Sequence, residues 1–309
     1  MLFSILIGTL CGIMLFFIGM LLLTHSIQNL YSKKLKKFIA TLTIHPLLGI
    51  FSGIIVTALM QSSSATSILV VSLVNSRAMN LYQATFVLMG ANIGTTFTAQ
   101  LISFDFFTMI PHILFLGVFL FFLRWSPLSK NIGKLLIAFS FLFLGIKLMV
   151  VSLNPLKDLM HFKSLILSIE HEHLKGIFVG AITTAIIQSS STSIATLQGL
   201  ARIGLINIYQ AMPIIMGQNI GTCITTLFSS IATNTNGKRA AFIHLLFNVT
   251  GTLLLYPFIN LFSYFIFSLT PLNSIRQIAN GHTLFNLFNV LLLLPFVKLF
   301  VIVSKKIIR

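Results

Sequence analysis

Long apolar segments recur along the whole chain, and several approach or exceed the length that crosses a bilayer. A membrane-spanning α-helix needs about 20 mostly apolar residues. We therefore predict an all-α polytopic membrane protein. The predicted helices cover 2–30, 80–101, 107–123, 131–151, 207–231, 240–268 and 281–303, with broken segments at 46–75 and 174–202. A basic loop is expected after residue 30, a polar loop at 152–173 and a tail at 304–309.

Two polar runs interrupt the broken segments: QSSSATS at 61–67 and QSSSTSI at 188–194. Polar side chains at membrane depth are tolerated where they are buried in protein or line a wet cavity. Serines cap helix N-termini, whose free N–H groups and dipole attract anions. The glutamines end the preceding half-helices, where free carbonyls and an amide oxygen suit a cation. Two such runs facing each other would form a chamber for an oxyanion beside Na⁺.

The chain contains an internal duplication. Gly49–Thr98 aligned with Gly176–Thr225 at an offset of 127 gives 23 identities in 50 positions without a gap. The shared motifs include QSSS and GxNIGT, the latter at Gly90–Thr95 and Gly217–Thr222. In GxNIGT the paired glycines are expected to relax the helix, the asparagine to offer an amide, and the threonine to cap the restarted helix.

The broken segments either cross the membrane or enter and return as hairpins. If both return, 13 Lys and Arg residues face the cytoplasm and five face outside; if both cross, the counts are 12 and six. The excess of cytoplasmic positive charge orients the chain but leaves both topologies open. Inverted repeats with discontinuous helices are a common transporter design, which favours hairpins that meet tip to tip.

Composition limits the function classes. The chain is 56% hydrophobic and 8% charged, with a net charge of +16. The basic residues are interpreted as loop charges that set orientation rather than as a nucleic-acid surface. Cys11 and Cys223 lie apart in apolar segments, and the first 23 residues do not resemble a signal peptide.

Catalysis has little support, because Asp and Glu total four and no nucleophile has a basic partner at a motif-like spacing. Glu170–His173 is interpreted as a solvated loop rather than a metal site. His244 and His282 share the pattern H-x-x-F-N, with a degenerate copy at His112. We favour interhelical hydrogen bonds for them over a direct role in function.

With QSSS and GxNIGT both repeated, the sequence resembles the type II sodium/phosphate cotransporter family in its short bacterial form, from Gly12 to about Leu294. The resemblance implies two inverted repeats, each with a re-entrant helical hairpin and discontinuous helices, plus one extra C-terminal transmembrane helix. It divides the chain into 1–125, 126–270 and 271–309. The first repeat lacks the H-x-x-F-N ending, since Leu116 stands at the asparagine position. Many bacterial relatives have a cytoplasmic regulatory domain, and this chain stops six residues after its last predicted helix, so any regulator would be a separate protein.

The expected function is sodium-coupled import of inorganic phosphate across the cytoplasmic membrane, without a cofactor apart from Na⁺ as coupling ion. The residues assigned to phosphate are Ser62, Ser63, Ser64, Thr66, Asn92, Ser189, Ser190, Ser191, Thr192, Ser193 and Asn219. Those assigned to sodium are Gln61, Gln188, Thr57, Thr184, Thr95 and Thr222.

Two points bear on the substrate and the charge moved. The substrate could instead be another oxyanion such as sulfate. The protein could also be a channel or a non-transporting membrane scaffold, and both alternatives stay open. Coupling is expected to be close to electroneutral, with two sodium ions for each divalent phosphate. Asp105 is the only candidate for a further sodium ligand.

Overall fold

The computed structural model describes residues 2–42, 45–104, 106–123 and 126–309. Within these ranges the chain forms fourteen α-helices and no strand, which confirms the all-α prediction. The first seven helices are α1 (Leu2–Leu42), α2 (Pro46–Met60), α3 (Ser63–Asn75), α4 (Leu81–Ile102), α5 (Ile110–Leu123), α6 (Pro127–Leu153) and α7 (Met160–His171). The others are α8 (His173–Ile187), α9 (Ser190–Arg202), α10 (Ile208–Ser230), α11 (Thr235–Leu255), α12 (Ile259–Leu269), α13 (Ser274–Leu293) and α14 (Val297–Ile307). Asp105 lies outside the described residues.

Four helical stretches in the described part of the chain are long and apolar enough to cross a membrane. They are Phe3–Ser26, Pro127–Asp158, Thr235–Leu269 and Ser274–Ile307. Large apolar side chains cover the outside of the molecule, and Phe3, Phe115 and Ile186 are each 75% exposed. So much apolar surface is incompatible with water and fits a lipid environment.

Two predicted loops are largely helical. The predicted basic loop after residue 30 is wrong, because α1 continues to Leu42. That stretch contains no proline or glycine, so nothing in it breaks a helix. In the predicted loop at 152–173, a 3₁₀ turn at Asn154–Asp158 leads into α7. The tail predicted from 304 is also helical as far as Ile307.

The last two predicted helices are each divided in two by a proline. Tyr256–Phe258 forms a 3₁₀ turn between α11 and α12, and Leu294–Phe296 forms one between α13 and α14. Proline lacks the N–H that would continue the helical hydrogen bonds. Both helices also begin earlier than predicted, at Thr235 and Ser274.

The pairs α11–α12 and α13–α14 form a second internal repeat. The sequence analysis recognised only its H-x-x-F-N pattern at His244 and His282. At an offset of 38, the stretch 244–258 shares H-x-L-F-N and L-L-L-x-P-F with 282–296. The packing follows the same relation: α11 contacts α3, α4 and α10, while α13 contacts α9, α10 and α4. Thus α11 and α13 each contact both long helices α4 and α10, and each also contacts one of the two helices that follow a QSSS run. The domain boundaries at 125 and 270 stay a prediction.

The GxNIGT motifs serve helix packing. The expected relaxation and restart at these motifs are wrong, because α4 and α10 run through them without interruption. A Cβ atom on Gly90 would lie 2.0 Å from the Ile50 carbonyl oxygen, and one on Gly217 would lie 1.9 Å from the Ile177 carbonyl oxygen. The backbones of α4 and α2, and those of α10 and α8, are therefore in direct contact, as small residues allow in membrane proteins.

We predict that Gly90→Ala and Gly217→Ala each destabilise the protein by about 1–3 kcal/mol, because the new methyl group overlaps a backbone that cannot move alone. Thermal unfolding of the detergent-purified protein measures the effect. Gly199→Ala is the matched control, since Gly199 is buried in α9 and its added Cβ would meet only a side-chain atom at 3.6 Å. Equal stability of all three variants would contradict the close packing.

Candidate functional site

The two polar runs form the turns that join α2 to α3 and α8 to α9. Gln61 and Gln188 end the first helix of each pair in the left-handed region, at φ 51° and 57°. Ser62 and Ser189 then cap the following helices. Each hydroxyl accepts a hydrogen bond from the backbone N–H three residues later, at 3.1 and 3.2 Å. We call Gln61–Ser64 the first tip and Gln188–Ser191 the second tip.

The two tips meet at their serines. Ser63 Oγ lies 3.3 Å from Ser190 Oγ. These serines are the first residues of α3 and α9, so the free N–H groups and positive dipole ends of both helices converge on one region. Two positive ends repel each other unless negative charge lies between them. The arrangement therefore favours an anion.

The glutamines differ between the tips. Gln61 is 6% exposed, and its Oε1 accepts a hydrogen bond from Thr98 Oγ1 at 2.8 Å. Gln188 is exposed. Thr225, the counterpart of Thr98 at the offset of 127, instead donates to Ser64 Oγ at 3.1 Å. The same residues thus adopt two arrangements, and the glutamine of the second tip remains accessible.

The hydroxyls flanking the tips also differ. Thr57 Oγ1 donates to Thr66 Oγ1 at 2.9 Å, and Thr66 donates to the Ser62 carbonyl at 3.1 Å. Their counterparts Thr184 and Ser193 are buried, and both hydroxyl oxygens lack a hydrogen-bond partner. An unpaired buried polar group costs about 1–3 kcal/mol. The α8–α9 unit therefore contains two buried oxygens free to accept a ligand.

The remaining assigned hydroxyls bond within their own units. Thr95 and Thr222 are each 6% exposed and donate to the carbonyl four residues earlier, at 2.9 and 2.8 Å. Their lone pairs stay available to a cation. Ser191 and Thr192 are buried in the first turn of α9, where Thr192 Oγ1 donates to Ser189 Oγ at 2.8 Å.

The two assigned asparagines have different partners. Asn92 Nδ2 donates to Asn248 Oδ1 at 2.8 Å, and Asn92 Oδ1 lies 3.1 Å from His244 Nε2. Both amide atoms of Asn92 are thus bound to α11, while Asn219 Nδ2 donates to the Ile215 carbonyl of its own helix at 2.9 Å. The interpretation of the histidine motif as an interhelical contact is confirmed for His244.

A relay that the sequence analysis missed connects His244 to α3. His244 Nδ1 lies 3.1 Å from Thr226 Oγ1, which lies 2.7 Å from Ser67 Oγ. Four helices, α3, α4, α10 and α11, are joined by this buried series. The sequence contained a signal for Ser67, which belongs to the polar run at 61–67. It also contained one for the tip contacts of Thr98 and Thr225, because this threonine is identical in the two copies of the repeat.

The prediction that residues 170–173 form a loop is wrong, because Glu170 and His171 end α7 and His173 begins α8, with only Glu172 between them. Glu170 Oε2 accepts a hydrogen bond from Gln210 Nε2 at 3.0 Å, and Glu172 forms a salt bridge with Lys175 at 2.6 Å. Among the described residues no group of three or more His, Cys, Asp or Glu side chains could hold a metal ion. The oxygens gathered around the tips come from hydroxyls and amides, so the site carries no side-chain charge of its own.

The sequence matches the model of a known family twice. The family is described as Na+/Pi-cotransporter, and it matches residues 15–150 and 157–292.

Individual relatives agree with this match. The Bacillus subtilis protein YqeW is 30% identical over 272 residues, which cover 86% of this chain and 87% of that protein. An Escherichia coli protein named putative inorganic phosphate export protein YjbB is 29% identical over 214 residues, covering 69% of this chain and 39% of the relative. The human sodium-dependent phosphate transport protein 2B is 42% identical over 85 residues, covering 26% and 12%. No solved structure matches the chain.

We predict that Thr57→Val and Thr184→Val have different effects on stability in sodium-free buffer. Valine has nearly the shape of threonine but no hydroxyl. Thr57→Val removes a buried hydrogen bond and should lower the free energy of unfolding by about 1 kcal/mol. Thr184→Val removes an unpaired hydroxyl and should leave stability unchanged or higher. Thermal unfolding of the two variants side by side measures this, and equal losses would mean that Thr184 has a partner.

Proposed function

Since the chain belongs to the Na+/Pi-cotransporter family, we propose that it is a sodium-coupled symporter that moves inorganic phosphate between the two tips. The observation that carries the proposal is the contact of Ser63 with Ser190. It brings two helix N-termini and several hydroxyls to one point, which is the chemistry that binds a phosphate oxyanion.

The tips also suit the middle of a membrane. The helices α2 and α3 have 15 and 13 residues, and α8 and α9 have the same lengths. At about 1.5 Å per residue each is roughly 20–22 Å long, which is short of the about 30 Å hydrocarbon core. We propose that each pair enters the membrane and returns, so that the two repeats have opposite orientations and the tips meet near the midplane.

Sodium fits the neutral oxygens around the second tip. Hydroxyl and amide oxygens are hard ligands, and the free oxygens of Thr184 and Ser193 belong to the same α8–α9 unit as the exposed Gln188. A divalent phosphate in a site without cationic side chains needs compensating charge, because burying an unpaired charge is very costly. Two sodium ions would cancel it, which makes transport close to electroneutral.

The direction follows from the gradients. A symporter moves both solutes down their combined electrochemical gradient, so an inward sodium gradient across the cytoplasmic membrane drives import. Export is a second candidate, because the matched Escherichia coli relative is named a putative phosphate export protein. Proteoliposomes loaded with phosphate and diluted into sodium-free medium measure efflux with the same preparation that measures uptake.

We predict that Ser63→Ala and Ser190→Ala each weaken phosphate affinity roughly 5- to 150-fold, the equivalent of one lost hydrogen bond of about 1–3 kcal/mol. The reason is that each hydroxyl faces the gap between the helix ends, so its loss leaves the bound anion one donor short. Concentration dependence of labelled phosphate uptake into proteoliposomes gives the affinity.

Ser164→Ala is the control for this experiment, because Ser164 is exposed on α7 and its hydroxyl bonds only its own helix. Wild-type affinity in both tip variants would remove these serines from the site. Strong inhibition of phosphate uptake by excess sulfate would show that the site accepts other oxyanions, and the proposal of a phosphate-specific site would be wrong. Failure of the wild-type protein to concentrate any anion would favour a channel or scaffold.

We predict that uptake depends on sodium and responds little to membrane voltage, and that Thr184→Val loses the thermal stabilisation that NaCl gives the wild-type protein relative to choline chloride. A ligand that binds only the folded state raises its stability, so losing a sodium ligand removes that increment. Uptake is measured at potentials clamped with potassium and valinomycin. Uptake driven by a pH gradient without sodium, or a steep rise at inside-negative potential, would contradict this coupling.

A further inference from the structure

The hydrogen-bond directions in the cluster around His244 follow from one backbone group. Asn248 Nδ2 donates to the His244 carbonyl at 2.9 Å, so its Oδ1 accepts from Asn92 Nδ2. Asn92 Oδ1 then accepts from His244 Nε2–H, and His244 Nδ1 accepts from the Thr226 hydroxyl. We call Asn92, His244 and Asn248 the closed cluster, because its side-chain amides and imidazole are paired between helices.

The same three residue types recur in the other half as Asn219, His282 and Asn286. The offset of 127 relates Asn219 to Asn92, and the offset of 38 relates His282 and Asn286 to the pair on α11. Asn286 Nδ2 again donates to the carbonyl of its histidine, at 2.8 Å. Here, however, Asn286 Oδ1 and His282 Nδ1 are buried without a partner, and Asn219 donates to Ile215 of its own helix. We call this the open cluster.

The two clusters lie at corresponding helix contacts. The closed cluster lies where α11 packs on α4 and α10, and the open cluster lies where α13 packs on α10 and α4. Asn219 therefore occupies on α10 the position that Asn92 occupies on α4. By this correspondence Asn219 Nδ2 is the donor expected for Asn286 Oδ1, as Asn92 Nδ2 is the donor for Asn248 Oδ1.

We propose that the two clusters act in turn as positioning groups for transport. In the opposite-facing state Asn219 pairs with Asn286 and His282, while Asn92 releases Asn248 and His244. This rests on the proposed transport function, which requires two states that open on opposite sides. The closed cluster holds α3 through Thr226 and Ser67, so its opening frees the helix that begins at the first tip.

The two clusters form different numbers of hydrogen bonds when they are paired. The counterparts of Ser67 and Thr226 are Ile194 and Ala99, which have no hydroxyl. Pairing Asn219 with Asn286 and His282 therefore forms fewer hydrogen bonds than are lost when Asn92 releases Asn248 and His244. The state described by this structure is the more strongly bonded of the two in the absence of substrate.

The experiment compares Asn248→Leu, which removes the partner of Asn92, with Asn286→Leu, which removes the bond proposed for the other state; each variant also loses the amide bond to the carbonyl of its own histidine, so this loss is matched. Spin labels at positions 78 and 238 report the separation of α3 and α11. Both positions are exposed and flank the contact of Asn75 with Asn234. Cys11 is replaced by Ala, and the buried Cys223 is retained.

We expect Asn248→Leu to increase the long-distance population and Asn286→Leu to reduce it. Each variant should slow phosphate uptake roughly 5- to 150-fold, the effect of one buried hydrogen bond on the balance of states. The double variant should transport faster than the slower single variant, because both states are then weakened. Shifts in the same direction, no shift, or a double variant slower than both single variants would overturn the proposal.

Asn289→Leu is the matched control, since Asn289 is buried one turn further along α13 and belongs to neither cluster; it should leave the distance populations unchanged. If Asn248→Leu does not fold, Thr226→Val replaces it with the same expected direction. The distance measurement needs no transport. A wild-type protein that moves no phosphate would thus refute the proposed function while the label distances still decide this inference.

Discussion

Backbone polar groups in a membrane must be paired, and this requirement controls the centre of the molecule. Each break between two short helices leaves several N–H groups of the next helix without an internal partner, and at the membrane depth proposed above each such group costs several kcal/mol. Capping serines satisfy one N–H at each tip. The two helix starts that carry the other N–H groups meet at Ser63 and Ser190, whose hydroxyl oxygens are 3.3 Å apart. The contact between Ser63 and Ser190 therefore lies where the unpaired N–H groups of two helices come together.

The close packing of α2 on α4 and of α8 on α10 makes this contact feasible. Gly90 and Gly217 bring each backbone against the carbonyl of a neighbouring helix, which fixes the half-helices that lead into the tips. The duplicated sequence then adopts two arrangements in one molecule. Gln61 is buried and bonded while Gln188 is exposed, and Thr57 is paired while Thr184 is not. The two tips therefore differ in exposure and in hydrogen bonding although their sequences are the same at QSSS.

Local rules account for what the sequence could predict. The tips, their capping serines and the repeat follow from residues that act within a few positions of themselves, such as Ser62 on the N–H of Ala65. The turns at Pro257 and Pro295 also follow from local chemistry. The sequence analysis predicted one continuous helix at each because hydropathy does not change at these prolines. The relay from Ser67 to Thr226 and His244 joins residues 159 and 18 positions apart. A serine or threonine that bonds a carbonyl of its own helix looks the same in the sequence as one that bonds another helix. The sequence therefore does not show that Ser67 and Thr226 are partners.

The pairing of α13 with the α8–α9 unit has a consequence for synthesis. Gln198 of α9 donates to the carbonyls of Ala99 and Ile275, and Ser274 donates to Ala201. The stretch Ser274–Ile307 has 34 residues and follows the second duplicated unit in the chain, so the ribosome synthesises it later, at about 5–20 residues per second. For roughly 2–7 seconds the second duplicated unit is thus in the membrane without the helix that covers it. During that interval Gln198 can keep its bond to Ala99 of α4, while its bond to Ile275 and the bond from Ser274 to Ala201 form only after α13 has been made.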